Sequence, residues 1–271
     1  MKILIYMESC LLLAFNFVSC QTDKYAPGFN FELFRNTPAY PLATAIENED
    51  TAAITKFMAE STISVDYKEP RFGHTLLLLA VVNNKELSAV KLLDLGADPN
   101  ARAFDDSSPF ISACAHAAGL KNSRKMLLWL IEYGADVNSI QMDTTNDQFG
   151  KRKNSKMTPL RSLCVAGSLE SVKVLVEHGA NLQACGKNEN AILSTAVLSG
   201  KLDIVKYLLI EKKAPIPDYV IIRQPGTSHE RKMTIPEMLN ENEYKDNPSK
   251  QASKFEILKY LKQQAKKDHS P

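Results

Sequence analysis

The chain has 271 residues, 44% of them hydrophobic, which is ample for a buried core in one elongated domain or two compact ones. Charged residues make up 24% and the formal net charge is +2, a balance that gives no general argument for a nucleic-acid or acidic-lipid partner. The first twenty residues, MKILIYMESCLLLAFNFVSC, stand apart. Lys2 supplies a positive charge, Leu11 to Val18 is apolar apart from Asn16, and the small Ser19 precedes Cys20. That is the layout of a secretory signal peptide, with an N-terminal anchor helix or a frayed cytosolic start as the other readings of the same residues. The apolar stretch falls short of the about 20 residues that a membrane-spanning helix needs.

With cysteine at its end, the segment resembles a bacterial lipoprotein signal, departing from it at Glu8 and Phe17. The resemblance implies that Cys20 is lipid-modified and becomes the first mature residue. Gln21, in place of an aspartate, then implies the outer membrane. The expected division is a signal peptide over 1–19, a tether over 20–36, a folded domain over 37–265 and a disordered tail over 266–271. The tether expectation rests on Pro27, Gly28 and the lack of a helical period between them and residue 36.

Beyond the tether the chain repeats itself. Gly96-Ala97-Asp98, Gly134-Ala135-Asp136 and Gly179-Ala180-Asn181 each follow an apolar run of helical spacing. Upstream of these, Tyr40-Pro41-Leu42, Thr75-Leu76-Leu77, Ser108-Pro109-Phe110, Thr158-Pro159-Leu160, Ala191-Ile192-Leu193 and Thr234-Ile235-Pro236 each open a short helix. Their starts lie 35, 33, 50, 33 and 43 residues apart. Thr158 suits an N-cap, Pro159 the first helical position, and Gly179 the left-handed residue that ends a second helix. A helix pair this small cannot bury its apolar face alone, so neighbours must stack.

A 33-residue period opened by Thr-Pro-Leu and closed by Gly-Ala-Asp resembles the ankyrin-repeat family, most closely over Met157–Ala184. The resemblance covers residues 40 to about 262. It implies an all-α solenoid of about six helix-turn-helix units joined by finger loops, with degenerate first and last units as caps. It also implies that a partner docks on the concave face, at the finger tips and the exposed side of each first helix. By position these are Arg71, Phe72 and His74, then Phe104, Asp105, Asp106 and Ser107, then Asn154, Ser155 and Met157, then Lys187, Asn188 and Asn190, with His116 on the third unit's first helix. Phe72 and Phe104 either stand exposed as aromatic anchors or tuck back against the next finger. Trp129, on a second helix, is expected in the core.

Departures from the period lie in three places. Unit three carries about five extra residues around Gly119-Leu120-Lys121-Asn122. The connection over 140–154 is about 12 residues longer than a plain repeat and holds Phe149, Lys151, Arg152 and Lys153. The link over 215–233 holds Arg231. Each either binds or is a passive loop, since loop length costs little stability.

Nothing in the chain reads as catalytic. The histidines at 74, 116, 178, 229 and 269 show no metal-ligand spacing, and no phosphate-binding loop or nucleophile elbow occurs. Cys114 and Cys164 fall at equivalent repeat positions, on helices expected roughly 8–10 Å apart. A disulfide needs Cα atoms within about 7 Å, so they are expected to be separate core thiols. No catalytic residue, metal or cofactor is therefore expected, and the chain alone is expected to be a monomer.

Its expected partner is another protein, with membrane attachment through the N-terminal lipid and no nucleic acid. On this plan the chain resembles periplasmic immunity proteins, nearest those paired with phospholipase effectors of the type VI secretion system. That resemblance implies an inhibitor that occludes a toxin from the periplasmic face of the outer membrane. The alternative is a periplasmic or cytosolic scaffold, or a chaperone-like adaptor, serving a resident enzyme.

Overall fold

Thr75, Ser108, Thr158 and Thr234 all sit in extended backbone immediately before a helix. Their hydroxyls accept from the amides of Leu78 (3.2 Å), Ile111 (3.3 Å), Arg161 (3.2 Å) and Glu237 (3.4 Å), each satisfying a donor that has no partner inside its helix. In this computed structural model, which describes residues 25, 28–143, 155–242, 244 and 246–268, those caps open four of six successive helix pairs. The pairs are α1 (Tyr40–Glu47) with α2 (Thr51–Glu60), α3 (Leu76–Val82) with α4 (Glu86–Asp94), and α5 (Pro109–Ala115) with α6 (Ser123–Glu132). They continue as α7 (Pro159–Ala166) with α8 (Leu169–Glu177), α9 (Ile192–Leu198) with α10 (Leu202–Lys206), and α11 (Ile235–Glu241) with α12 (Pro248–Asp268). A π-helical stretch, Tyr207–Glu211, extends α10.

First helices pack on first helices and second on second, so one continuous apolar core runs from Phe31 to Ile257. Gly96, Gly134 and Gly179 follow the second helices with φ of +89°, +90° and +85°, the left-handed geometry that glycine adopts without a Cβ penalty.

Side chains in the turns couple each unit to the next. Asp66 Oδ1 accepts from the Asp98 amide at 3.0 Å. Asn100 accepts from the Asp136 amide at 2.8 Å and donates to the Gly134 carbonyl at 2.9 Å. Asn138 repeats the pattern with the Asn181 amide at 2.7 Å and the Gly179 carbonyl at 3.1 Å. The recurring asparagine two residues after each Gly-Ala-Asp is thus a bracket between units.

Three expectations change. The fingers are not all loops. β1 (Gln141–Asp143) pairs antiparallel with β2 (Ser155–Met157), and β3 (Ile221–Arg223) with β4 (Arg231–Met233). Each long connection thus holds a strand pair, made of segments too short to read as strands. Next, the tether expected over 20–36 is folded at its C-terminal end. Phe31–Phe34 forms a 3-10 turn capped by Asn30, and Phe31 and Phe34 are fully buried against α1. Two large apolar rings three positions apart outweigh the local turn residues. The signal region 1–19 and Cys20 lie outside the described residues. Finally, residues 266–268 continue α12 rather than forming part of a disordered tail.

The extra residues of unit three form a turn that grips unit two. Asn84 donates to the Gly119 carbonyl at 3.3 Å and accepts from the Lys121 amide at 2.8 Å. Trp129 is half-buried rather than core, with Lys125 Nζ 4.3 Å above its ring, beside a groove that includes exposed Leu87. No helix among the described residues is long and apolar enough to cross a membrane.

Candidate protein-binding surface

The second unit's finger is built on a buried carboxylate. Glu69 is fully shielded from solvent and accepts from the amides of Arg71 (2.6 Å), Phe72 (2.7 Å) and His74 (3.0 Å). A carboxylate removed from water is costly unless such donors replace the lost hydration. Here they fold the tip around it and turn Arg71 and Phe72 outward. Nothing periodic marks Glu69 in the sequence, and only its three amide partners reveal it.

From that tip an aromatic column runs inward. The Arg71 guanidinium lies 4.8 Å from the Phe72 centroid. Phe72 stacks on His74 at 5.3 Å, and His74 stacks on Phe29 at 5.1 Å with planes 14° apart. Phe29 meets His116 edge-on at 5.3 Å. His74, expected at the finger tip as a contact residue, is only 6% exposed, with Phe29 and Phe72 stacked on it. Burial pushes its pKa below the usual histidine value, against the opposing pull of the Glu69 and Asp105 carboxylates. Its Nδ1 has no hydrogen-bond partner. His116, expected on an exposed helix side, is a half-buried C-cap whose Nδ1 lies 2.9 Å from the Ser112 carbonyl.

Adjacent finger tips are joined by hydrogen bonds. The Phe104 amide donates to the Phe72 carbonyl at 2.9 Å, and Gln141 Nε2 donates to the Asp105 carbonyl at 3.1 Å. Phe104 combines both readings offered for it. Its ring rests on Gly73, where a Cβ would come within 2.7 Å of it, yet the side chain stays 70% exposed. Phe72 is 36% exposed. The neighbouring carboxylates serve the loop. Asp105 accepts from the Ser107 amide at 3.0 Å and hydroxyl at 2.6 Å, while Asp106 pairs with Arg102 at 3.6 Å.

The other expected residues that the structure describes are not drawn into this cluster. Met157 is half-buried in β2, opposite Gln141. Lys187 is exposed, and Asn188 accepts from the Asp218 amide at 3.1 Å. Arg231 pairs with Glu237 at 2.8 Å. Phe149, Lys151, Arg152, Lys153 and Asn154 lie outside the described residues. Cys114, Cys164 and Cys185 are free and buried, and burial raises the pKa of Cys114 and Cys164. Among the described residues no cluster of histidine, cysteine and carboxylate side chains could hold a metal ion.

Known families agree with this architecture. The family described as "Ankyrin repeats (3 copies)" matches residues 116–218, and "Ankyrin repeat" matches residues 72–103. Ankyrin repeat domain-containing protein 37 of Homo sapiens is 30% identical over 126 residues, covering 46% of this chain and 70% of that protein. Its Bos taurus counterpart is 29% identical over 126 residues with the same coverage, and that of Xenopus tropicalis is 29% identical over 94 residues, 35% of this chain and 50% of that protein. The chain belongs to the ankyrin-repeat family, whose members are generally non-catalytic modules for binding other proteins.

Proposed function

We propose that this chain captures a partner protein on the finger tips of units two to four, counting six units with the first and last as caps. The observation that carries this reading is the pair of exposed rings, Phe72 and Phe104, on adjacent tips tied by a backbone hydrogen bond. Aromatic side chains held on a rigid support lose little entropy on binding and dominate interface energies. The test is capture of the partner from the native cell, followed by titration against Phe104→Ala. The variant is expected to bind more weakly, and unchanged binding contradicts the reading.

The finer reading is an inhibitor hung by a lipid on Cys20 from the periplasmic face of the outer membrane. It would occlude a secreted toxin, such as a type VI phospholipase effector. The Met1–Cys20 pattern supports it, and those residues lie outside the described ones. Its expected outcome is release of the Cys20→Ala protein from the membrane fraction, and unchanged fractionation excludes the anchor. A scaffold serving a resident enzyme is the alternative. Killing of a deletion strain by toxin-bearing siblings separates the inhibitor from the scaffold.

A further inference from the structure

One first helix differs from those that follow it. The residue seven places after the N-cap is Ala115 in α5, Val165 in α7 and Leu198 in α9, and all three are exposed, Val165 to 44% and Leu198 to 36%. In α3 the same place holds Val82, which is 5% exposed, and all seven residues of that helix are buried. A helix that is apolar on every side needs cover on every side. Over unit two the cover includes the chain's own segment around Phe29. The Asn83 amide donates to the Phe29 carbonyl at 2.7 Å, and the Phe29 ring contacts His74 at one end of α3 and His116 on the next unit.

Phe29 is held differently from the residues that flank it. Phe31 and Phe34 are fully buried in the first unit, whereas Phe29 is only half-buried. On its other side Gly28 has a φ of +80° with open space around it, and Tyr25 is fixed separately through its hydroxyl to Glu47. The neighbours on both sides are thus anchored independently of the Phe29 ring. What it occupies has the parts of a recognition slot: a flat imidazole face, a second imidazole edge, an apolar floor and an amide donor for a backbone carbonyl.

We propose that this place over α3 is a docking slot for an aromatic side chain on an extended segment of the partner protein, and that Phe29 fills it until the partner displaces it. This rests on the reading that the finger face binds protein, and it names the chemistry of one contact. The slot lies beside Phe72, so both would serve one interface.

The test uses the full chain, the Phe29→Ala variant and the blocked peptide acetyl-Gly-Phe-Asn-amide, followed through the imidazole NMR signals of His74 and His116. In the wild type the tethered ring fills the slot, and occupancy of about nine-tenths or more makes binding to the variant about tenfold stronger or more. The same peptide with alanine for phenylalanine should shift neither signal. Equal response of both chains, no response of the variant, or response to the alanine peptide each overturns the proposal. So does loss of cooperative unfolding in Phe29→Ala, which would make Phe29 core. Because the probe is a peptide, failure here leaves the finger-tip reading standing on its own titration.

Discussion

At the scale of single residues, His74 shows how the fold sets a side chain's chemistry. The ring is stacked between Phe72 and Phe29 and shielded from water, which lowers its pKa from the ordinary value near 6.5. The unfolded chain takes up a proton at that ordinary value, while the folded chain resists until lower pH. The stability that the neutral ring contributes is thus complete above about pH 6.5 and lost as pH falls below it. His74→Phe keeps a flat ring and removes the titration. Between about pH 7.5 and 5.5 the wild type should lose more thermal stability than this variant. Equal losses would show that His74 titrates as it does in the unfolded chain. The sequence marked His74 as a finger residue by position alone. Position could not show that Phe29, 45 residues earlier, would cover it. Glu69 escaped notice for the same reason, since its partners are backbone amides and carry no residue signature.

At the scale of elements, the helices were legible and the strands were not. Thr-Pro-Leu and Gly-Ala-Asp are local signals, a cap and a left-handed turn, and the structure places both where such chemistry requires. The strand pairs of 141–143 with 155–157 and 221–223 with 231–233 rest on segments of three residues each, and no pattern of alternation can emerge at that length. The covered state of α3 had a visible signal, because Leu-Leu-Leu-Leu-Ala-Val-Val has no polar side at all. Between elements, the asparagine brackets are the testable joint. Asn138→Ala removes two hydrogen bonds across units three and four, worth about 0.5–1.5 kcal/mol each. Asn138→Asp keeps the acceptor for the Asn181 amide and loses the donor to Gly179, so it should cost about half as much. Thermal unfolding of both variants checks this, and equal costs would mean that the Gly179 contact contributes nothing.

At the scale of the whole molecule, the solenoid presents two kinds of surface. The second helices are mostly polar outside, with Leu87, Phe255 and half-buried Trp129 as local exceptions. The finger side gathers Arg71, Phe72 and Phe104 on tips that hydrogen-bond to one another, beside a slot held by the chain's own Phe29. A stack in which each unit touches only its neighbours keeps such a ridge rigid, so a partner gains the contact without ordering the fingers first. The repeat pattern marks where the fingers fall, and the structure gives the side chains that stand on them. Isothermal titration of the captured partner against wild type, Phe104→Ala and, on the opposite face, Leu87→Ala tests this most directly. Binding should weaken by about 1–3 kcal/mol for Phe104→Ala with an unchanged melting temperature, and stay at the wild-type level for Leu87→Ala. Full affinity in Phe104→Ala, or a loss confined to Leu87→Ala, would contradict the finger-tip account.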